Sequence, residues 1–406
     1  MTGQGGTAGA VAGVGPLDGV VVADFTQLVQ GPYAAQILAD LGAEVIKIEP
    51  PAGDWLRRFA LGNTYLGGES VSFLAFNRNK QSIVLNLKRP DQREAARRIA
   101  AQADVLLENF RPGVMERLGL GYDSLRQINP GLVYCASSGY GTSGPYVERP
   151  GQDLLVQAMT GLPTLMGRAG DPPVPVGIGL SDLAAGLHMV YGTLAALVER
   201  ARTGQGRRVD VNLLNSLLAL ESQELTAHLN SSARPGRNPH MAGTPYTGAP
   251  YGLYPTRDGF IAIAMNLVGK LMAVVGAVGF EDVDEANVTD PELDGRIRRA
   301  LGERLAQRDT ADWLDALLAE DIWCAPLNDF DAVVEDPQVA HNQMILELDH
   351  PTAGRVRVIG PAVAFGDAAG RRHAPPPRLG EHGAQILTRF AGYSEDEAAR
   401  VLGPEP

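Results

Sequence analysis

Residues 20–25 read Val20-Val21-Val22-Ala23-Asp24-Phe25, a short apolar run that follows a turn at Leu17-Asp18-Gly19. Such a run predicts a buried strand. A helical pattern then opens at Gly31-Pro32 and ends at Gly42, and a second strand follows at Glu44-Val45-Ile46-Lys47-Ile48-Glu49. A strand, a helix and a second strand form a βαβ unit, which implies a parallel sheet with a right-handed crossover.

The alternation of strands and helices continues along the first half of the chain. We predict strands at 82–87, 104–107, 132–136 and 207–211, with helices at 91–102, 114–118, 122–128 and 213–228. The fold class is therefore α/β, with a Rossmann-like parallel sheet. The first turn has too few glycines for a dinucleotide fingerprint, although Glu49 ends the second strand where a NAD-binding unit places an acid. We expect the Rossmann shape without its usual nucleotide chemistry.

A long helix is predicted after the stretch Val176-Gly177-Ile178-Gly179-Leu180-Ser181-Asp182. Apolar residues recur there at Leu187, Val190, Leu194 and Leu197, and Gly204 ends the pattern. The other positions are mostly small, so we expect the helix to be buried on most sides. Asp182 then lies at or next to the N-cap, where it is either a capping residue or a carboxylate held ready as a nucleophile. A pyrophosphate is disfavoured there because Asp182 occupies the last glycine position of the fingerprint.

The second half of the chain predicts a smaller α+β domain. Residues 230–250 are rich in Asn, Ser, Pro and Gly and indicate a linker. An Asp-Gly turn at 257–259 joins strands 251–254 and 260–264 into a hairpin, and helices are predicted at 267–275, 295–306 and 310–318. A strand near Val356 and a helix with the capping box Ser394-Glu395-Asp396-Glu397 come later. The expected organisation is a disordered tail at 1–15, a large domain at 16–229, a linker at 230–250, a small domain at 251–340 and a segment at 341–406 that completes the large domain.

Composition limits the possible binding partners and the expected cellular compartment. The formal net charge of −12 argues against nucleic-acid binding, which requires a basic face. The two cysteines, Cys135 and Cys324, suggest no disulfide framework, and residues 1–15 lack the basic residues of a signal peptide, so we expect a cytoplasmic protein. No uninterrupted apolar run approaches membrane-spanning length. Three of the four lysines are Lys47, Lys80 and Lys88, and we expect any anionic partner near them.

Several other chemistries lack their motifs. The sequence contains no G-x-S-x-G elbow, no H-E-x-x-H zinc motif and no Walker loop, and its seven histidines are scattered. No metal site is therefore expected. His188 follows Asp182 on the long helix, where a hydrogen-bonded core histidine is a more common role than a catalytic base.

Short motifs throughout the chain carry a family resemblance. In order, they are Pro16-Leu17-Asp18-Gly19-Val20, Leu41-Gly42-Ala43-Glu44-Val45-Ile46-Lys47-Ile48-Glu49, Asn77-Arg78-Asn79-Lys80-Gln81-Ser82-Ile83, Glu108-Asn109-Phe110-Arg111-Pro112-Gly113, Thr203-Gly204-Gln205-Gly206 and Leu379-Gly380-Glu381-His382. In this order and spacing the chain resembles the class III coenzyme A transferases, also called the CaiB/BaiF family. That group contains formyl-CoA transferase, carnitine CoA-transferase and the α-methylacyl-CoA racemases.

The resemblance implies a function and a set of site residues. Asp182 matches the nucleophilic aspartate of the family, which moves coenzyme A from an acyl-CoA donor to a carboxylic acid through aspartyl-anhydride and aspartyl-CoA thioester intermediates. Coenzyme A is the substrate, and no metal or tightly bound cofactor is implied. The matching CoA-binding positions are Val29, Gln30, Leu85, Lys88, Asn109, Phe110, Arg111, Arg117, Arg149 and Gln152. An acidic protein must concentrate cations to hold phosphates, although each of these basic residues is equally consistent with an ordinary solvated surface.

The resemblance also implies an interlocked homodimer, in which two ring-like chains pass through each other and the monomer is not stable alone. Two departures from formyl-CoA transferase stand out. Its run of glycines in the small domain is missing here, where the nearest candidate is residues 242–249, and Pro50-Pro51 replaces an arginine that contacts phosphate.

Two alternatives to the transferase remain open. A racemase of the same fold needs a base on each side of the α-carbon, and the resembling racemases use a histidine in a Gly-His-Asp segment. This chain reads Gly151-Gln152-Asp153-Leu154, and a glutamine side chain cannot accept a proton near neutral pH, so the second base is missing unless His188 takes its place. A non-catalytic CoA-binding protein is the other alternative. We predict transfer without racemisation.

Overall fold

The computed structural model describes residues 15–232, 236–283, 285–365 and 373–404. Residues 1–14 of the predicted tail lie outside the described part. Contacts divide the chain into two units. The large unit comprises Met1–Val156, Gly179–Ala219 and Gln338–Pro406, and the small unit comprises Gln157–Ile178 and Leu220–Pro337.

The large unit alternates strands and helices, as the sequence predicts. Its elements up to the first boundary are β1 (Val21–Asp24), α1 (Gln30–Asp40), β2 (Glu44–Glu49), β3 (Tyr65–Leu66), β4 (Glu69–Ser70), α2 (Val71–Phe76), β5 (Lys80–Val84), α3 (Pro90–Gln102), β6 (Val105–Glu108), α4 (Val114–Arg117), α5 (Tyr122–Leu125) and β7 (Val133–Ser138). Helix α6 (Asp153–Thr160) crosses the boundary between the units, and α7 (Leu180–Thr203), β8 (Arg208–Asn212) and α8 (Leu213–Leu220) follow.

The small unit holds α9 (Ser222–Asn230), β9 (Gly252–Pro255), β10 (Phe260–Ile263), α10 (Val268–Val275), α11 (Pro291–Leu305), α12 (Thr310–Ala319), β11 (Cys324–Pro326) and α13 (Phe330–Glu335). The chain then returns to the large unit with α14 (Pro337–His341), β12 (Ile345–His350), β13 (Gly354–Ile359), α15 (Gly383–Phe390) and α16 (Glu395–Leu402). The predicted capping box at the start of α16 is confirmed, because Ser394 and Glu397 cap each other reciprocally.

A six-stranded sheet in the order β5-β2-β1-β6-β7-β8 organises the large unit, and each of its neighbouring pairs is parallel. This is the strand order of the doubly wound Rossmann fold, and the predicted α/β class is confirmed. Strand β5 begins at Lys80, two residues before the predicted start at 82. The apolar-run rule missed its first residues because Lys80 and Gln81 are polar yet buried.

Each face of the sheet packs against its own helices. On one face the core joins Ile83 and Leu106 to helices α3, α15 and α16, for example through Ile99 and Leu387. On the other face helices α1 and α7 pack against the strands, with Met189 of α7 fully buried. The last helices of the chain thus complete a core that begins with its first strand.

Helix α7 differs from its prediction in two respects. Gly179 is its N-cap and Asp182 is the third helical residue, so Asp182 lies in the first turn and does not cap the helix. The outer face of α7 carries Leu187, Tyr191 and Val198, each about half exposed or more, so within this chain the helix is not buried on most sides. By length and composition alone α7 could cross a membrane, a test that core helices of soluble proteins also pass.

The small unit has its own three-stranded sheet in the order β11-β10-β9, and the predicted hairpin of β9 and β10 is confirmed as antiparallel. Its boundaries differ from those predicted, because residues 157–178 make their contacts with this unit. For example, Arg237 donates to the carbonyl oxygens of Met166 and Pro172. The described part of the expected linker is also packed, since Asp294 of α11 accepts hydrogen bonds from Asn238 and the Ala249 N–H.

The helix predicted at 213–228 is interrupted. Residue Glu221 has a ψ of 15° and separates α8 from α9. The break lies beside the division between the large and small units, which falls after Ala219. Helix α8 therefore belongs almost entirely to the large unit, and α9 to the small unit.

Candidate active site

The carboxyl edge of the parallel sheet has a switch point between β1 and β6, because the chain continues in opposite directions from these neighbouring strands. Asn109, just after β6, joins the loops that follow β1 and β6 at this point. Its amide donates to the Gln27 carbonyl oxygen at 2.8 Å and accepts from the Gln27 N–H at 2.9 Å. The loops that follow the two strands are thus held together where ligands of such folds usually bind.

The predicted CoA-binding residues lie in connections that follow the carboxyl ends of these strands. Val29 and Gln30 start α1, Leu85 and Lys88 follow β5, Asn109, Phe110 and Arg111 follow β6, Arg117 ends α4, and Arg149 and Gln152 lie between β7 and α6. The side chains of Lys88, Arg111, Arg117 and Arg149 are exposed, with Arg149 over the Tyr146 ring at 4.0 Å. Leu85 differs from the rest because the whole residue is buried in the core and its N–H donates to the Glu49 carbonyl oxygen at 2.8 Å.

Two of the three early lysines are not available to an anionic partner, contrary to the sequence expectation. Lys47 is fully buried 2.8 Å from an Asp54 carboxylate oxygen, and Lys80 is buried 3.1 Å from Asp24. Lys80 also donates to Asn77 and to the Pro32 carbonyl oxygen. We call Asp24, Lys47, Asp54 and Lys80 the buried ionic cluster. Of the early lysines, Lys88 alone is exposed.

Glu49 is also committed to the structure of the large unit. Its carboxylate accepts two hydrogen bonds from Arg57, at 2.7 and 2.8 Å, and one from the Ser82 hydroxyl at 2.6 Å. These donors and Lys47 hold the pKa of Glu49 below its usual value although burial opposes them. A ribose would find this carboxylate buried and occupied, which agrees with the missing glycine fingerprint.

Asp182 has the opposite environment. Within the part of the chain that the structure describes, no group donates a hydrogen bond to its carboxylate. Burial, with a smaller contribution from the negative charge of Asp153, raises the pKa of Asp182 to about 7. Asp153 accepts hydrogen bonds from the N–H and the hydroxyl of Ser181, at 2.8 and 2.7 Å. The first turn of α7 is therefore fixed, while the carboxylate that it carries stays unpaired.

A close helix contact brings further side chains to the same end of the sheet. A Cβ atom on Gly186 would lie 2.8 Å from the Gln30 carbonyl oxygen, so only glycine lets the second turn of α7 approach the first turn of α1 this closely. The Gln30 amide oxygen accepts a hydrogen bond from the Ser137 hydroxyl at 2.5 Å. Ser137 is the penultimate residue of β7, and nothing in the sequence indicated its role because that role depends on which strand lies beside α1.

A cavity of about 390 Å³ lies against the carboxyl ends of β6 and β7 and the first half of β8. It is lined by Glu108, Phe110, Pro112, Gly113, Glu116, Ala136, Ser137, Ser138, Thr142, Arg208 and Asp210. Arg208 is paired with Asp210 at 3.0 Å, and burial raises the pKa of Glu108 to about 7. The cavity is thus acidic, and phosphate groups fit better on the exposed cations Lys88, Arg111, Arg117 and Arg149 than inside it.

Other reactive groups have ordinary structural partners. His188 Nδ1 lies 2.8 Å from the Ser216 hydroxyl, and burial lowers its pKa. Over the described ranges, no group of three or more His, Cys, Asp or Glu residues could hold a metal ion. The geometry provides an unpaired carboxylate at the start of α7, exposed cations in the connections that follow the strands, and a sheet edge where Asn109 joins the loops after β1 and β6.

Known proteins resemble this chain over nearly its whole length. The model of CoA-transferase family III matches residues 17–383. A succinyl-CoA:glutarate CoA-transferase of Mus musculus is 35% identical over 394 residues, which cover 95% of this chain and 89% of that protein. An acetyl-CoA:oxalate CoA-transferase of Acetobacter aceti is 36% identical over 393 residues, which cover 93% of this chain and 96% of that protein.

A solved structure agrees with these relatives. A CAIB/BAIF family protein from Brucella suis superimposes with a TM-score of 0.81 at 32% identity, over 93% of this chain and 99% of that one. The chain belongs to CoA-transferase family III. It is accordingly an enzyme that transfers coenzyme A, and the resemblance seen in its sequence motifs is confirmed.

Proposed function

We propose that this enzyme moves coenzyme A from an acyl-CoA to a carboxylic acid, with Asp182 as the covalent nucleophile. The observation that carries the proposal is the unpaired Asp182 carboxylate in the first turn of α7, at the position where the motifs of the family align its nucleophile. Of the other buried carboxylates described above, Asp24, Glu49 and Asp54 are each held by a cation, and Glu108 accepts a hydrogen bond from the Phe110 N–H at 2.8 Å.

The proposed reaction passes through three covalent intermediates on one carboxylate. An Asp182 oxygen attacks the thioester carbonyl carbon, the C–S bond breaks, and CoA thiolate leaves behind an aspartyl–acyl anhydride. The thiolate attacks the aspartyl carbonyl, which releases the donor acid and forms an aspartyl-CoA thioester. The acceptor carboxylate displaces the thiolate to form a second anhydride. Attack of the thiolate on the acceptor carbonyl then gives acceptor-CoA and restores Asp182.

The electrostatics of Asp182 suit this role. Only the ionised carboxylate attacks, and a pKa of about 7 leaves a large fraction ionised at neutral pH while keeping the anion reactive. The positive end of α7 favours negative charge at its first turn. Each attack creates an oxyanion, which free N–H groups at a helix start could stabilise.

We propose that the CoA phosphates bind the exposed cations Lys88, Arg111, Arg117 and Arg149, with Val29, Gln30, Leu85, Asn109, Phe110 and Gln152 contributing the remaining contacts. For the acyl groups we propose small dicarboxylic acids, because the similar enzymes from Mus musculus and Acetobacter aceti are named for glutarate and oxalate.

The active enzyme is proposed to be a cytoplasmic, interlocked homodimer. The apolar stripe Leu187, Tyr191 and Val198 on α7 supports association, since a single soluble chain would leave it in water. Light scattering at micromolar concentration should find the dimer, and a folded monomer would contradict this part of the proposal.

Racemisation is the competing activity, and two observations disfavour it. Gln152 occupies the position of the histidine base, and His188 is hydrogen-bonded to Ser216. A 2-methylacyl-CoA incubated with the enzyme in D₂O should gain no deuterium at its α-carbon. Deuterium gained at a catalytic rate would establish the racemase instead.

The transferase itself is tested by pairing acyl-CoA donors with mono- and dicarboxylic acids and following product CoA esters by mass spectrometry. Hydroxylamine added to enzyme and acyl-CoA should convert Asp182 to a hydroxamate that peptide mapping locates. No new CoA ester with any pair, or a hydroxamate on another residue, would contradict the proposed function.

A further inference from the structure

Leu28 has an unusual backbone conformation for its side chain. Its φ is 67°, in the left-handed region that is unfavourable for a branched apolar residue. The other non-glycine residues with positive φ in the described ranges are Asn63, Asn79, Asp321 and Gln343, all polar. Leu28 is also 43% exposed, so burial of its side chain in the core of this chain does not explain why a leucine occupies the position.

The strained backbone is held in place from several sides. The N–H and hydroxyl of Thr26 donate to Asp24, at 2.9 and 2.5 Å, and Asn109 binds both backbone groups of Gln27. The Leu28 N–H itself donates to Asp54 at 3.2 Å. Asp24 and Asp54 both belong to the buried ionic cluster, so the loop conformation is fixed before any ligand arrives. Strain that the surroundings maintain in this way is typical of binding and catalytic sites.

The position of Leu28 lies between the two ends of the proposed site. Lys88 leads into α3 and Arg117 ends α4, both on the sheet face that holds Ile99 and Met115. Asp182 lies in the first turn of α7 on the opposite face, and Gly186, one turn later, contacts the first turn of α1. A ligand whose phosphates bind the cations and whose thioester reaches Asp182 must cross the carboxyl edge of the sheet. The loop that joins β1 to α1 crosses at that edge, and Leu28 is its exposed apolar residue.

We infer that Leu28 is a substrate-binding residue whose side chain packs against the apolar pantetheine arm of the acyl-CoA. The inference rests on the proposed function, because it needs the thioester at Asp182. The arm joins the diphosphate to the sulfur and is the same in every acyl-CoA. A preformed apolar contact with it positions any thioester equally and leaves the choice of acyl group to other residues.

Two substitutions separate binding from structure. Leu28→Gly removes the strain together with the side chain, and Leu28→Asn places a residue that tolerates positive φ. We expect both to weaken binding of free CoA and of acetyl- and succinyl-CoA by about the same factor, roughly tenfold. The melting temperature should stay the same or rise, and kcat at saturating acyl-CoA should change less than twofold.

Ile128→Ala is the matched control, because Ile128 is 41% exposed and precedes the opposite, amino end of β7. It should leave CoA binding unchanged. Unchanged CoA affinity in both Leu28 variants would overturn the inference, as would a loss that depends on the acyl group or one accompanied by a lower melting temperature. Those outcomes leave the proposed function intact, whereas a wild-type enzyme without transfer activity refutes the function itself.

Discussion

Two groups of carboxylates lie near the carboxyl edge of the same sheet and behave in opposite ways. In the buried ionic cluster, Asp24 lies 3.1 Å from Lys80, and the two lysines of the cluster keep its pKa below the usual value in spite of burial. Asp182 is partly buried, but the charged group that contributes to its pKa is another acid, Asp153, and together with burial it raises the pKa to about 7. An aspartate side chain is therefore permanently charged at position 24 and ready to react at position 182.

The difference teaches that burial alone does not mark a functional carboxylate. A paired buried charge makes the fold depend on its partner, since removing one leaves the other uncompensated. An unpaired carboxylate costs folding free energy and keeps its electrons available for attack. The cluster fixes the loops around the site, and Asp182 supplies the chemistry. The following changes test this division of roles.

The largest expected effect is on catalysis by Asp182→Asn. Transfer should fall by at least about a thousandfold, because an amide cannot form the anhydride. CoA affinity should stay within about twofold. The free energy of unfolding, in contrast, should increase in the variant. Since folding raises the pKa of Asp182, the wild type loses stability as pH rises from about 4 to 7, and the variant should be more stable at pH 8 by up to a few kcal/mol.

Asp91→Asn is the control for that result. Asp91 also lies in the first turn of a helix, α3, but it is exposed and paired with Arg89. This variant should keep full activity and gain no stability. Full transfer activity in Asp182→Asn, measured by product CoA esters, would remove Asp182 from the mechanism.

The second effect is on folding and comes from Asp24→Asn. It leaves Lys80 buried without its carboxylate, at an expected cost of about 3–5 kcal/mol in the free energy of unfolding. Urea denaturation followed by circular dichroism measures this cost. Glu94→Gln, which breaks an exposed ion pair with Arg98, should cost less than about 0.5 kcal/mol. Equal costs for the two variants would show that the buried ionic cluster does not stabilise the fold.

The third effect is on the pH dependence of kcat/KM. Below about pH 7 the value should fall nearly tenfold per pH unit, because Asp182 must be ionised to attack. Asp153→Asn keeps an oxygen for the Ser181 donors and removes the negative charge, so it should shift the midpoint to lower pH. A midpoint that stays in place or moves to higher pH would exclude Asp153 as a source of the raised pKa.

The smallest effect concerns an exposed cation. Arg117→Ala should raise KM for acyl-CoA about fivefold without changing the melting temperature, and the loss should shrink at high salt because exposed charges are screened. Arg126→Ala, an exposed arginine after α5, serves as the control and should change neither. If both variants behave alike, Arg117 does not contact the phosphates.

Much of the fold could be predicted from the sequence because interactions between neighbouring residues specify it. The strands β1 and β2, the hairpin of β9 and β10 and the capping box at Ser394 are specified by neighbouring residues, so short-range rules find them. The start of β5 was missed because Lys80 is polar yet buried, and its partners Asp24 and Pro32 come from a distant part of the sequence. The unit boundaries were missed because contacts such as that of Arg237 with Met166 join distant residues.

The site divides in the same way. Motifs pointed to Asp182 and to the connections after β1, β5 and β6, since those stretches are contiguous in sequence. The burial of Lys47, the bond between Ser137 and Gln30, and the strained φ of Leu28 depend on which segments meet in space. No pattern along the sequence specifies which distant segments contact each other.

The packing of the last helices onto the first sheet also sets an order of events during synthesis. Ile386, Leu387 and Val401 belong to the same core as Ile83 and Ile99, about 300 residues earlier. When all strands of the sheet have been translated, helices α15 and α16, which cover part of one face, have not yet been synthesised. That nascent sheet presents apolar surface for much of the elongation time, so the enzyme should need chaperone protection until its final helices emerge.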